Sequence, residues 1–249
     1  MAGVCVAAGS VAAGCYLITP YADLTGGAVE GGPPIVAGFC GALPTDAPSA
    51  VFCDDFDGPP LSAKWDLVLV PPASELRIDS AESTSKPSSL LLSVPAGQTA
   101  NQALYVAKQF DNASSVTVAF DVRLDSVPTA DTTYVVEIEM GRDAVLLFVA
   151  RGAWTLQQAI TAGDGSQTFP GFDLSALPTS AWTHVAIAVS AVASGSSKAV
   201  VTFNDTSETV PLDPSWAPAT FRIRVGSKYV NVPTQSRRVH FDNVRVDAR

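Results

Sequence analysis

Apolar and polar residues alternate along much of the chain after residue 51. The segment 116–124 has apolar residues at one parity, namely Val116, Val118, Phe120, Val122 and Leu124. A period of two is typical of a β-strand with one buried and one exposed face. The segment 134–140 repeats this period, which predicts that Glu137 and Glu139 point outward. The residues predicted to point inward there are Tyr134, Val136, Ile138 and Met140.

Further apolar runs follow, separated by turn residues. They are 89–94, 103–110, 143–151, 154–160, 182–190, 199–203, 221–225 and 238–246. No ten-residue stretch after residue 51 has a convincing helical period. The pattern predicts an all-β domain over 51–249, in which two antiparallel sheets pack as a sandwich. A single domain suffices, because sandwiches routinely reach roughly 200–250 residues.

The last predicted strand contains a change of parity. Val239 and Phe241 share one parity, whereas Val244 and Val246 share the other. All four can face the core only if Asp242-Asn243 absorbs one extra residue. A β-bulge at this dipeptide is therefore expected.

The N-terminal sequence predicts where the protein is located. Residues 1–14 are small and uncharged, like the apolar region of a secretory signal, and they end at Ala12-Ala13-Gly14-Cys15. This ending resembles the lipobox of bacterial lipoproteins, which implies a signal over 1–15 and a lipid on Cys15. Residues 16–50 are rich in Gly, Pro and Ala and are predicted to be a flexible tether. The resemblance implies export and anchoring at the bacterial outer membrane or cell surface; the alternative is a disordered end with an incidental cysteine.

Cys40 and Cys53 would remain in such a mature protein. The segment 41–52 between them has no histidine, and no CxxC spacing is present, so a zinc site is not expected. In an oxidising compartment the two thiols are expected to form a disulfide that ties the tether to the first strand. The alternative is a pair of buried free thiols.

The overall charge limits the classes of partner. The chain has 15 basic and 24 acidic residues and a net charge of -9. Nucleic acid is not expected as a partner, because phosphate contacts need clustered Lys and Arg. Neutral polymers such as polysaccharides remain, as do proteins and calcium, and a membrane contact is expected only through the lipid.

Three motifs resemble concanavalin A-like lectin and glucanase domains, which include laminin G-like modules and family 16 glycoside hydrolases. The first runs from Phe52 through Asp55-Phe56-Asp57-Gly58 to Trp65, the second is Trp182-Thr183-His184-Val185, and the third spans 241–246. The spacer after Cys15, together with Phe52-Cys53-Asp54-Asp55-Phe56-Asp57, is also similar to surface lipoproteins of myxobacteria-type organisms. The resemblance implies a jelly roll of two antiparallel sheets, one of them concave, with carbohydrate ligands in the concavity or at its rim.

Glu137 and Glu139 are the sharpest candidates for catalysis. Residues two apart on a strand share a face and lie about 6.6 Å apart. Glycosidases use paired carboxyl groups about 5–9.5 Å apart. Where the resembling family 16 enzymes carry a further glutamate as the acid, this chain has Gly141-Arg142. Catalysis by Glu137 and Glu139 would therefore need an acid from elsewhere in the fold, and the alternative is a solvated strand face.

The second hypothesis for the same region is a surface that binds sugars without catalysing a reaction. Trp154 offers an aromatic plane, and Gln157 and Gln158 offer amide hydrogen bonds, which together suit a sugar ring. Tyr229 is a second candidate platform. For Trp154 the alternative is a place in the core.

A calcium site is the remaining candidate. The first strand ends in Asp54, Asp55 and Asp57, and these could meet Asp242 and Asn243 if the first and last strands pair. Several hard oxygens near one point suit Ca²⁺. The alternative is ordinary turn and capping chemistry, and no cofactor is required.

These patterns favour an exported, lipid-anchored protein with a glycan- or protein-binding β-sandwich. The first alternative is a carbohydrate-active enzyme, a hydrolase or lyase, on the same fold. The second is a structural surface domain without a small ligand. His184 and His240 are expected to be structural.

Overall fold

The structure is a computed structural model that describes residues 39–42, 51–97, 103–125, 131–174, 180–190, 197–213, 219–228 and 234–249. The predicted signal 1–15 with Cys15 lies outside the described residues, and so does Tyr229. Of the predicted tether 16–50, only residues 39–42 are described, as a short 3-10 turn.

Strands dominate the described part of the chain. They are β1 (Val51–Asp54), β2 (Leu67–Leu69), β3 (Glu75–Asp79), β4 (Ser89–Val94), β5 (Leu104–Ala113), β6 (Ser115–Leu124), β7 (Thr132–Met140), β8 (Asp143–Ala150), β9 (Ala153–Thr161), β10 (Gln167–Thr168), β11 (Gly171–Asp173), β12 (Thr183–Ser190), β13 (Lys198–Phe203), β14 (Thr206–Pro211), β15 (Ala219–Ser227) and β16 (Arg237–Ala248). A single helical turn in this part, α1 (Leu61–Lys64), follows β1. No helix in it is long and apolar enough to cross a membrane.

These strands form two antiparallel sheets. Sheet 1 has the order β14-β13-β12-β6-β16-β4-β3, and β1 also pairs with β16. Sheet 2 has the order β10-β9-β8-β7-β15-β5-β2, and β11 also pairs with β9. The sheets pack face to face, which confirms the predicted all-β sandwich.

The core lies between the inner faces of the two sheets. On β6 the predicted inward residues are all buried, namely Val116, Val118, Phe120, Val122 and Leu124. Phe120 of sheet 1 is fully buried, and so are Ile138 and Phe221 of sheet 2. Phe120 also contacts the ring of Phe241, with centroids 5.9 Å apart. Burying a large apolar side chain contributes about 1.5–3 kcal/mol, so this layer is the main source of stability.

Strand β7 departs from its predicted alternation at one point. Its register with β8 shifts between Tyr134 and Val136, so that Val135 and Val136 are both buried. Tyr134 is thereby turned outward, where its ring lies 5.2 Å from that of Phe148. The prediction that Tyr134 points into the core is wrong, because a bulge reverses the parity of the residues before it.

The last strand, β16, pairs with β6 on one edge and with the N-terminal strands β1 and β4 on the other. One edge of β16 pairs with β6, and its register shifts between Asp242 and Arg245, at the predicted bulge. Asn243 has a φ of 52°, in the left-handed region that asparagine tolerates better than most residues. On its other edge β16 pairs with β4 and then with β1, which places Asp54 opposite Val244.

The predicted disulfide is confirmed. Cys40 and Cys53 are bonded, with their Cα atoms 5.6 Å apart. The backbone N–H of Cys40 also donates a hydrogen bond of 3.2 Å to Asp55 Oδ2. The short turn at 39–42 is therefore tied to β1 by a covalent bond and a hydrogen bond.

Candidate functional site

A groove runs along the outer face of sheet 2, on the side away from the core. Strand register places the outward residues in one row, in which Glu137 lies opposite Arg224 on one side and Leu146 on the other. Leu146 in turn lies opposite Gln157. The groove has a volume of about 550 Å³. Its lining residues are Tyr134, Glu137, Glu139, Gly141, Arg142, Asp143, Ala144, Leu146, Gln157, Ala159, Gln167, Phe169 and Lys228. We call it the sheet-2 groove.

Two carboxylates and two cations lie together at one side of this groove; Glu137, Glu139 and Lys228 line it, and Arg224 lies beneath them. Glu137 is buried, and its Oε2 lies 3.0 Å from Arg224 Nη1. Its Oε1 accepts a hydrogen bond of 2.7 Å from Lys228 Nζ. Glu139 also makes a close ion pair with Arg224. The four side chains form one network of alternating charge, which we call the charged floor.

Arg224 is the most enclosed cation of this network. Its side chain is only 7% exposed, and its guanidinium lies 5.5 Å from the ring centroid of Tyr105, a cation–π distance. Burial alone lowers the pKa of Arg224, but the charges of Glu137 and Glu139 outweigh that effect and raise it. Arg224 therefore remains a cation at any physiological pH.

The rest of the groove is apolar and amide-lined. Leu146 and Phe148 belong to a small apolar cluster on the outer face, and Tyr134 packs against it. Gln157 points outward from β9 into the groove. Phe169 lies between β10 and β11 and is 52% exposed. Such aromatic and amide groups suit the apolar faces and hydroxyl groups of sugar rings.

Three of the predicted site residues meet in this groove, and two do not. Glu137, Glu139 and Gln157 line it, whereas Trp154 and Gln158 belong to the opposite face of β9. Adjacent strand residues point to opposite faces, so Gln157 and Gln158 cannot both reach one ligand.

In contrast to its predicted role as a sugar platform, Trp154 packs in the core. It is 3% exposed, and its ring lies 5.6 Å from that of Phe203 on sheet 1. Gln158 is 2% exposed, and its Oε1 accepts a hydrogen bond of 2.9 Å from the backbone N–H of Asp213. Both residues stabilise the fold instead of facing the groove.

Sequence reasoning missed Arg224, Lys228 and Phe169. For Arg224 the signal existed, because Phe221, Ile223 and Val225 alternate inward and leave the arginines between them facing outward. For Phe169 the sequence contained no alternation of apolar and polar residues that could predict its direction, because the flanking strands have only two and three residues.

The predicted calcium ligands lie where β1 meets β16, and protein donors already occupy them. Asp54 Oδ1 accepts a hydrogen bond from Lys64 Nζ at 2.8 Å, and its Oδ2 accepts one from Trp65 Nε1 at 2.7 Å. Asp55 accepts the N–H of Cys40, and Asp57 Oδ1 accepts the N–H of Ser88 at 2.9 Å.

The other two predicted ligands anchor the loop between β3 and β4. Asp242 Oδ2 accepts the N–H groups of Thr84 and Ser85, at 2.8 and 2.9 Å. Asn243 Oδ1 accepts the hydroxyl of Ser85 at 2.7 Å. Within the described residues, no group of three or more carboxylate, imidazole or thiol side chains is placed to hold a metal ion. The arrangement suits internal hydrogen bonding, and calcium binding stays a prediction.

Both histidines of the chain lie on sheet 1. His184 Nδ1 is 2.8 Å from Asp121 Oδ1. His240 is fully buried, and this burial lowers its pKa, although nearby Asp125 and Asp79 act in the opposite direction. Neither residue contributes an imidazole to the sheet-2 groove.

No protein-family model and no curated protein matches this chain. Solved structures do match it. An endo-β-1,4-glucuronan lyase from the fungus Trichoderma reesei has a TM-score of 0.65 and 14% identity, over 81% of this chain and 95% of the lyase. Cellulose induced protein Cip1 has a TM-score of 0.58 and 14% identity, over 78% and 96% of the two chains. Alginate lyase vAL-1 from Chlorella virus has a TM-score of 0.55 and 12% identity, over 76% and 95%.

Likeness at such low identity establishes the fold alone. The fold is a jelly-roll sandwich of the concanavalin A-like type, as the sequence motifs predicted. Proteins that act on polysaccharides are among those that share it.

Proposed function

We propose that the protein binds a carboxylate-bearing polysaccharide in the sheet-2 groove. The observation that carries this proposal is the combination of groups in one open groove: the charged floor beside the aromatic and amide side chains of Tyr134, Phe169 and Gln157. Aromatic and amide groups recognise sugar rings of any kind. The cations add selectivity for acidic ones.

The exposed cations of the groove support an acidic ligand, although the carboxylates of Glu137, Glu139 and Asp143 line the same groove. Lys228 is 28% exposed at its side chain, and Arg142 also lines the groove. Glu137 holds Lys228 in a fixed position, so this cation needs little reorganisation to meet a uronate carboxylate. Two neighbours of the same fold are named as lyases of glucuronan and of alginate, which are polymers of this class.

Binding is favoured over hydrolysis by the geometry of the two glutamates. A glycosidase needs a carboxyl group that donates a proton to the leaving oxygen. Glu137 and Glu139 are instead both ion-paired with Arg224. Their proposed role is to position the cations of the floor.

The proposal is tested by calorimetric titration of the protein with glucuronan and with alginate, and with the carboxyl-reduced forms of both. We expect binding of the acidic polymers only. Lys228→Met should weaken it roughly tenfold or more, because a charge-assisted hydrogen bond contributes about 1.5–3 kcal/mol. The matched control is Lys198→Met, on an exposed position of sheet 1, which should bind as the wild type does.

Two outcomes would contradict the proposal: no binding of either acidic polymer, or equal binding of their carboxyl-reduced forms. The same samples decide the enzyme alternative. Accumulation of new reducing ends without unsaturated uronate ends, lost in a folded Glu137→Gln variant, would favour a hydrolase. Accumulation of unsaturated uronate ends would favour a lyase.

We also propose that the protein is exported and anchored through a lipid on Cys15. The Cys40–Cys53 disulfide supports an oxidising compartment, because disulfides persist outside the cytosol. Mass spectrometry of the membrane fraction should find an acylated N-terminus at Cys15. A membrane-bound Cys15→Ser variant, or an intact Met1 in the wild type, would contradict the anchor.

A further inference from the structure

Phe169 is exposed in an unusual place. At 52% it is the most exposed of the large apolar side chains in the described part of the chain, and it lies on the rim of the sheet-2 groove. A single exposed apolar residue is ordinary on a protein surface. Phe169 differs from such residues because its backbone is held in place and because amide side chains line the same groove.

The backbone around Phe169 is held on both sides. Before it, Thr168 of β10 pairs with Ile160 of β9. After it, the carbonyl of Pro170 accepts a hydrogen bond of 3.0 Å from the N–H of Gln158, and β11 then pairs again with β9. The ring therefore extends from a fixed position, so a ligand that covers it does not have to order a mobile loop.

Amide groups lie close to this ring. Gln157 and Gln167 both line the groove with Phe169. The residue opposite Gln157 on β11 is Gly171, which has no side chain to cover the amide. An aromatic face with amides beside it suits a pyranose ring, which has apolar C–H faces and hydroxyl groups around its edge.

The aromatic rim is remote from the charged floor. Four strand-to-strand steps, through β9, β8 and β7, separate β10 from β15, which carries Arg224. At about 4.8 Å per step the separation is about 19 Å. A single sugar ring is much shorter than this, so one ring cannot contact both ends.

We propose that Phe169, with Gln157 and Gln167, forms a second sugar subsite that stacks one ring of an oligosaccharide whose acidic part lies on the charged floor. This inference rests on the proposed function and adds a minimum length to the ligand. The protein would bind oligomers that reach from rim to floor, and would bind single uronates only weakly.

The test uses the full chain and saturated glucuronan oligomers of increasing length, beginning with glucuronate itself. Wild-type affinity should rise with length until the oligomer reaches from floor to rim, and then level off. Phe169→Ala should lower the affinity for the long oligomers roughly three- to tenfold, the range expected for one aromatic stack. It should leave the affinity for glucuronate unchanged.

Two variants complete the design. Phe169→Trp keeps an aromatic plane and should restore long-oligomer affinity. Ile78→Ala removes another exposed apolar side chain, on β3 at the edge of sheet 1, and should bind as the wild type does.

The failures are distinguishable. A wild type that binds no acidic oligomer would overturn the proposed function and this inference together. A wild type that binds them, with a Phe169→Ala variant of equal affinity for long oligomers or with no dependence on length, would overturn the aromatic subsite alone.

Discussion

Glu137 Oε2 lies 3.0 Å from Arg224 Nη1 on the adjacent strand, and both side chains are at most 7% exposed. The pair therefore sits at the bottom of the groove with little access to water. A buried charge that loses its partner is costly, because nothing replaces the lost hydration. Glu137 and Arg224 are for this reason linked both to stability and to the position of the cations.

Glu137→Gln is expected to lower the free energy of unfolding by up to about 3–5 kcal/mol, since it removes the more buried of the two counter-charges of Arg224. Glu139→Gln is the matched control, because the Glu139 side chain is 23% exposed and water can compensate for its loss. Its effect should be clearly smaller. Urea denaturation of both variants measures the difference, and equal losses would contradict the importance of burial.

Trp154→Ala is expected to destabilise the fold by about 3–5 kcal/mol, as is usual when a large aromatic residue is removed from a core. Trp154→Phe retains most of the contact with Phe203 and should cost less. If Trp154 has only a packing role, the folded Trp154→Phe protein will bind acidic polysaccharide with wild-type affinity. A selective loss of binding in that variant would instead give the indole a role in the site.

Reduction of the Cys40–Cys53 disulfide is expected to lower stability by about 3 kcal/mol, from the entropy of the loop that it closes. Thermal unfolding with and without a reductant measures this loss. The Cys40→Ser/Cys53→Ser variant should match the reduced wild type and should not respond to the reductant. A response in that variant would show that the reductant acts elsewhere.

Asp242 gives stability a defined dependence on pH. Burial raises the pKa of its carboxyl from 3.8 to about 7, although hydrogen bonds from Ser85, Thr84 and Asn243 act to lower it. Between about pH 4 and pH 7 the folded protein therefore holds a proton that the unfolded chain has released. This contribution makes the free energy of unfolding fall as pH rises through that window, by up to about 4 kcal/mol, and remain level above it.

Urea denaturation of the wild type and of Asp242→Asn at several pH values isolates this contribution. Burial lowers the pKa of His240, which has the opposite effect on stability, but His240 is present in both proteins. The wild type should therefore lose stability relative to the variant as pH rises from about 4 to about 7. Parallel curves for the two proteins would contradict a raised pKa at Asp242.

The sequence predicts the architecture well, because each strand of a sandwich alternates between apolar and polar residues, and this alternation is visible in the sequence. The alternation on β6 identifies its buried face completely, and the change of parity in β16 locates the bulge at Asp242-Asn243. Both features follow from the need of apolar side chains to face one side of a strand.

The groove is harder to predict, because it depends on which strands become neighbours. The bulge before Val136 leaves no apolar signature, since Val135 and Val136 are both apolar. Arg224 meets Glu137 only because β15 pairs with β7, across more than eighty residues of chain. For Trp154 the sequence left a core place and a sugar platform open, because tryptophan is highly buried on average yet also suits a sugar ring; Gln158 shares its inward face on β9, although glutamine is mostly an exposed residue.

The pairing of β1 with β16 also affects how the chain is made. Val51 pairs with Asp247, so the first strand has to wait for almost the whole domain to emerge from the ribosome before this pairing forms. Sheets built from such distant pairs are slow to assemble. The pairing of β1 with β16 is therefore expected to be among the last to form, after local pairs such as β7–β8 and β8–β9 have already closed.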